Sequence, residues 1–146
     1  AREILNEKKG PPPEINLFNE KNNGSTILKL INNNLVESCH DVSLGGILIA
    51  LSKMCIKSKK GVKINQLTGL TNKFEYFFGE DQARYIVEIR KENLSQFDKI
   101  LKENSVHYEN FGTVIDNNIE FSDEIKLSVD DLENNYKSWL RKYMVS

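Results

Sequence analysis

The spacing of apolar residues switches repeatedly along this chain between helical and strand periods. That alternation restricts it to folds that interleave helices with strands. Ile27, Leu28 and Ile31 recur at the spacing of one helix face, with Leu35 in phase, until Asn32-Asn33-Asn34 breaks the run. Val36 to His40 then reads as a short strand, and Asp41-Val42-Ser43-Leu44-Gly45-Gly46 as a tight turn. A second helix carries Ile47, Ala50, Leu51 and Met54 on one face. Val62 to Asn65 alternates and predicts an edge strand, while Leu70, Phe74, Phe77 and Phe78 cluster as one or two helical turns. Arg84 to Arg90 is the clearest strand, with Tyr85, Val87 and Ile89 on one face. Leu94, Phe97, Ile100 and Leu101 mark a third helix. Phe111 to Ile115 and Ile119 to Phe121 predict a hairpin around Asp116-Asn117-Asn118, where Asn and Asp tolerate the turn geometry. The last helix starts near Ser128, which pairs with Asp131 in the manner of a capping box. Leu132, Tyr136, Trp139, Leu140 and Tyr143 give that helix an apolar face, read as core or domain-interface packing.

Helices between strands, with a hairpin near the end, predict an α/β chain of the α+β kind. The expected architecture is a two-layer sandwich of one mixed β-sheet with helices packed on one face. A length of 146 residues predicts one domain. Lys8-Lys9-Gly10-Pro11-Pro12-Pro13 cannot be helix or inner strand, because proline fixes φ and lacks the amide donor. Residues 1–19 are therefore read as a leading linker or arm, and 20–146 as the domain. The chain opens on Ala1 rather than methionine, which fits a start inside a longer chain.

A formal net charge of -1 gives no electrostatic footprint for nucleic acid, and no polybasic block suggests a membrane surface. The longest apolar run, Ile47 to Leu51, is far too short to span a bilayer, and no secretory pattern opens the chain. A cytoplasmic location is expected. Cys39 and Cys55 form no C-x-x-C pair and are expected as free thiols in a reducing compartment.

Two stretches carry candidate chemistry. His40-Asp41-Val42-Ser43-Leu44-Gly45-Gly46 lies where a strand gives way to a helix, whose N-terminus presents unpaired N–H groups. Gly45 and Gly46 admit close approach of a ligand or of another backbone. His40 can exchange a proton near neutral pH, and Asp41 can hold a cation or orient a hydroxyl. On spacing alone the ordinary reading is stronger: Ser43 caps the helix, Asp41 satisfies turn amides, and the glycines permit tight packing. Phe77-Phe78-Gly79-Glu80-Asp81-Gln82-Ala83-Arg84 is the second stretch. Gln82 and Arg84 can bind an oxyanion, and Glu80 and Asp81 a hard cation such as magnesium. The ordinary reading is a polar turn with Arg84 paired to a local acid. No phosphate-binding glycine loop, dinucleotide fingerprint or nucleophile elbow is present, and His40 and His107 have no zinc-site spacing.

Taken in order, the two stretches resemble the H-D-V-S-x-G-G-L and F-G-E-S-Q-x-R motifs of the formylglycinamidine ribonucleotide synthetases. Pro13-Glu14-Ile15-Asn16-Leu17 is similar to that family's P-x-I-D-L. Phe111-Gly112-Thr113-Val114, followed by Leu127 to Leu140, is similar to its closing strand and tryptophan-bearing terminal helix. The resemblance covers essentially the whole chain. It implies an AIR synthase C-terminal-like domain, and the second-half copy of it, because the first half reads Q-D-x-G-A-A-G and S-E-S-Q-E-R.

The resemblance also implies a place in purine biosynthesis. ATP activates the amide oxygen of formylglycinamide ribonucleotide, and ammonia derived from glutamine displaces it. The parent enzyme is expected to use ATP and Mg2+, and the isolated domain to be inactive, with none of its residues assigned as catalytic. The implied partners are the remaining domains of the same enzyme and a glutaminase subunit or domain, with a small accessory subunit in some members.

Leu44 stands where the family has an acid, and Asp81 where it has serine. An aspartate there repels phosphate, which suits a degenerate second-half site. His40, Asp41, Ser43, Gly45, Gly46, Gly79, Glu80, Gln82 and Arg84 are therefore expected to face an interdomain cleft, binding a nucleotide or nothing. Two alternatives stand beside this reading. One is the C-terminal domain of a related ATP-using enzyme (aminoimidazole ribonucleotide synthetase, selenophosphate synthetase or a hydrogenase maturation factor). The other is a purely structural assembly module.

Overall fold

The computed structural model describes residues 15–65, 72–121 and 125–145, with backbone alone for 140–142. The proline-rich arm, Leu70 and the Leu140 side chain lie outside the described residues. The chain divides into two compact units, one of residues up to Ala50 with Asn72–Tyr108, the other of Leu51–Thr71 with Glu109 onward.

In the first unit, helix α1 (Leu17–Asn32) starts where the Asn16 side chain accepts from the Asn19 N–H at 3.0 Å. It ends as the asparagine run predicts. Asn34 takes a left-handed φ of 54° and the Leu35 N–H donates back to the Leu30 carbonyl. That is a Schellman closure, and its apolar pair, Leu30 and Leu35, is buried. Helix α4 (Leu94–Glu103) ends the same way, with Ser105 left-handed and the Val106 N–H bonded to the Leu101 carbonyl. Leu30, Leu35, Phe97 and Leu101 form the core of this unit, with Val87 and Val106 packed against it.

The buried face of α1 differs from the expected one. Leu28 and Ile31 are exposed, and Thr26 and Leu30 are buried. Thr26 is tolerated inside because its hydroxyl donates to the Asn22 carbonyl at 2.8 Å. The spacing of large apolar residues could not reveal a face that includes a self-satisfied threonine.

Strands β1 (Ser38–Asp41) and β3 (Tyr85–Glu88) pair antiparallel, with His40 opposite Ile86 and Asp41 opposite Tyr85. Helix α3 (Lys73–Phe78) is capped by Asn72, whose side chain accepts from the Phe74 and Glu75 N–H groups. Helix α2 (Gly46–Ser58) begins in this unit.

The second unit is built on β2 (Lys60–Ile64), β4 (Gly112–Asp116), β5 (Asn118–Phe121) and β6 (Ile125–Ser128), in the order β4-β2-β5-β6. The strands form two sheets rather than one, and this four-stranded sheet is mixed, as expected: β2 and β5 are parallel, and its other pairs antiparallel. Two further expectations are corrected here. β2 is an inner strand rather than an edge, and β4 and β5 are not a hairpin, because β2 lies between them. Val62 pairs with Val114 on one side and with Ile119 on the other.

The link through Asn117 (φ 33°) crosses the start of β2. Gly61 makes the crossing possible: a Cβ there would lie 2.0 Å from the Asn118 carbonyl oxygen. Val62 and Ile64 are both buried, and an inner position is how a short strand reaches that burial. Strand β6 was not expected, although Ile125-Lys126-Leu127 alternates. Three alternating residues ahead of the Ser128 cap are too short a run to read as a strand.

Helix α5 (Val129–Val145) follows directly. The Asp131 N–H donates to Ser128 Oγ at 3.3 Å, as the capping pattern predicts. Lys137 and Lys59 both pair with Glu133 and hold its carboxyl below the usual range. Trp139 is 58% exposed, which rules out a core role within this chain.

Candidate functional site

The two candidate stretches meet in the first unit. After β1 the chain turns through Ser43, whose carbonyl accepts from the Gly46 N–H at 3.0 Å, and α2 begins. Gly45 and Gly46 have φ of 87° and 73°, values that favour glycine. A Cβ on Gly46 would lie 2.5 Å from the Phe77 carbonyl oxygen. The start of α2 therefore sits against the end of α3, and backbone contact accounts for this glycine.

The second stretch leaves α3 through Gly79, whose N–H closes the helix on the Glu75 carbonyl at 2.8 Å. Glu80 then reaches back to the glycine turn: its Oε1 accepts the Gly45 N–H at 2.9 Å. This corrects the expectation that Ser43 caps the helix; the side chain at this N-terminal turn is a carboxylate from another segment. It suits the site, since a helix start favours negative charge. Arg84 is also engaged. Its guanidinium donates to Asp81 Oδ2 at 3.1 Å and to the Tyr76 carbonyl at 3.4 Å, and lies 5.5 Å from the Tyr76 ring centre. The Val42 N–H donates to the Arg84 carbonyl at 2.8 Å, joining the two stretches through their backbones.

Asp41, Ser43, Glu80, Gln82 and Arg84 line one open hollow of about 330 Å3, together with Leu44, Glu20 and Tyr85. His40, Gly45, Gly46 and Gly79 support it from outside that lining. His40 Nδ1 lies 2.6 Å from its neighbour's carbonyl, Asp41 O. Sequence reasoning missed Glu20 and Tyr85. Glu20 is distant in the chain and carries no local signal, and Tyr85 read only as a packed strand residue. Tyr85 lies against α1, its hydroxyl oxygen 3.5 Å from where a Cβ on Gly24 would stand, an ordinary contact.

The electrostatics follow from this lining. Glu20, Asp41 and Glu80 face one guanidinium, and that guanidinium is already paired with Asp81. Burial, followed by the charges of Glu20, Cys39 and Asp41, raises the Tyr85 phenol above its usual range. Burial, then Asp41, does the same to the Cys39 thiol. Both groups stay protonated at neutral pH, and Cys39 has none of the thiolate character of a nucleophile. No cluster of three potential metal ligands exists among the described residues. Of the two features suited to phosphate, the Gly45 N–H is taken by Glu80, and the Arg84 fork is engaged by Asp81 through Nη1 and by the Tyr76 carbonyl through Nη2.

The chain belongs to the family described as "AIR synthase related protein, C-terminal domain", whose model matches residues 1–123. It is 60% identical over 144 residues to the phosphoribosylformylglycinamidine synthase subunit PurL of Pelagibacter ubique, covering 99% of this chain and 20% of that protein. Its fold is similar to phosphoribosylformylglycinamidine synthase II of Thermotoga maritima, with a TM-score of 0.70 and 20% identity over 83% of this chain and 22% of the other. A structure described as T. maritima PurL complexed with ATP has a TM-score of 0.67 and 20% identity, covering 80% of this chain and 22% of that one. The chain thus spans about a fifth of the length of its curated relatives.

Proposed function

We propose that this chain is the second-half C-terminal domain of a formylglycinamidine ribonucleotide synthetase, with residues 1–19 as a leading arm and 20–146 acting as one domain. The supporting observation is the near-complete match at 60% identity to a PurL subunit, which runs through both motif stretches. The parent enzyme amidates formylglycinamide ribonucleotide in purine biosynthesis, in the cytoplasm, using ATP with Mg2+ and ammonia from a glutaminase subunit or domain. In this reading the domain supplies no catalytic group. His40, Asp41, Ser43, Gly45, Gly46, Gly79, Glu80, Gln82 and Arg84 shape a wall of an interdomain cleft.

The test is an exchange. This chain replaces the matching segment of the Pelagibacter ubique relative, and amidation is assayed with formylglycinamide ribonucleotide, ATP and ammonia. The exchanged enzyme is expected to turn over, and the chain alone to show no turnover. Turnover by the chain alone, or a folded but inactive exchange, rejects the reading.

The hollow itself is assigned a positioning role rather than phosphate binding, because Glu80 already holds the Gly45 N–H and Asp81 already pairs with Arg84. Calorimetric titration of the chain with ADP and Mg2+ is expected to give no saturation, that is, a Kd weaker than about 1 mM. Saturable binding lost in Arg84→Ala would overturn that assignment.

A further inference from the structure

Helix α5 is fixed firmly at its base and left open along its length. Val129 is fully buried, its N–H donates to the Asn117 carbonyl at 3.0 Å, and Asn117 in turn donates to Asp130 Oδ2 at 2.8 Å. Lys137 pairs with Glu133 at 2.6 Å on one side of the helix. On another side Tyr136 and Trp139, three residues apart, are 59% and 58% exposed. The edge strand β6 of the same unit leaves Ile125 and Leu127 nearly half exposed. Exposed singles are ordinary, but a tyrosine and a tryptophan three residues apart on a helix anchored at its base mark an interaction surface. These two residue types are also the ones that dominate interface energies. Each offers a large rigid ring and one hydrogen-bond donor.

We infer that the Tyr136–Trp139 face of α5 is where the rest of a longer enzyme chain docks on this domain. The inference rests on the functional reading above. The occupant follows from length: almost all of this chain matches only 20% of the Pelagibacter ubique relative and 22% of the T. maritima chain, so about four-fifths of each lies beyond the match. The chain's near-neutral charge offers nothing to steer a highly charged partner. A surface that fits this face is apolar and carries acceptors for the indole N–H and the phenol O–H.

Hydroxyl-radical footprinting tests this by reading Tyr136 and Trp139 directly, in the free chain and in the exchanged full-length enzyme. At least roughly fivefold less modification is expected in the full-length enzyme, as for residues at the dry centre of an interface. Trp139→Ser is expected to lower the melting temperature of the full-length enzyme and to leave that of the free chain unchanged. An active exchanged enzyme with both residues still fully modified overturns the docking inference and leaves the functional reading standing. A folded, inactive exchanged enzyme with both residues unprotected rejects the two together. Protection already present in the free chain, together with sedimentation as a dimer, makes the occupant a second copy and also overturns the inference.

Discussion

Gly61→Ala is expected to lower stability by about 3 kcal/mol or more, because the new methyl meets backbone rather than a movable side chain. The ideal Cβ position lies 2.0 Å from the Asn118 carbonyl oxygen and 2.4 Å from its nitrogen. Relief requires β5 to move away from β2, which breaks the parallel register of Val62 with Ile119. For a chain of this size the loss corresponds to a fall of roughly 10 °C in melting temperature. Circular dichroism melts read the change, and hydrogen exchange locates it in β2 and β5. Gly24→Ala is the contrast. Its Cβ meets only the Tyr85 hydroxyl, at an ordinary 3.5 Å, on a helix where alanine is favoured by about 0.5–1 kcal/mol. That variant should be neutral or slightly more stable. Equal behaviour of the two variants would remove the crossing at Gly61 from the account of this fold.

Phe97→Ala is expected to cost about 3–5 kcal/mol, the range for truncating a buried aromatic. Phe97 is 2% exposed in the cluster that joins α1 and α4, and its ring meets Tyr108 edge-on at 5.2 Å. Losing that pair contributes about 0.5–1.5 kcal/mol of the total. Tyr108 is tied to Asp98 by a hydrogen bond, so it cannot readily swing into the space left behind. Urea unfolding should show a lower midpoint at nearly unchanged slope. Phe74→Ala, at a position 71% exposed, should stay within about 0.5 kcal/mol of the parent chain. A small effect at Phe97 would mean that the α1–α4 cluster is not the centre of its unit.

What could be read in advance was what local chemistry decides. The asparagine run ends α1 because Asn34 accepts a left-handed φ, and Ser128 caps α5 because its hydroxyl lies three residues before an N–H that needs an acceptor. The two candidate stretches are contiguous segments, and their meeting at one hollow followed from the family pattern they share. Illegible features were those decided by partners distant in the chain. Nothing around Val62 says that strands will settle on both sides of it, and Asp116-Asn117-Asn118 looks locally like a hairpin turn. Only the glycine at position 61 hinted that another backbone would come close. Glu80 likewise carries no sign of its destination. Its bond to Gly45 links positions 35 residues apart and gives one donor of the glycine turn to the chain's own carboxylate.

The inner position of β2 also sets a timetable. Its last partner pairs cannot form until residues well beyond 112 exist: Lys60 meets Asp116 across a separation of 56 residues. At ribosomal speeds of about 5–20 residues per second, that is a wait of roughly 3–11 s during synthesis. Through that interval β2 has both edges unpaired, the condition under which strands seek foreign neighbours. Lys60 and Lys63, exposed on either side of buried Val62, place charge on the waiting strand. Charge at those two positions disfavours foreign pairing of a strand whose own partners have not yet been made.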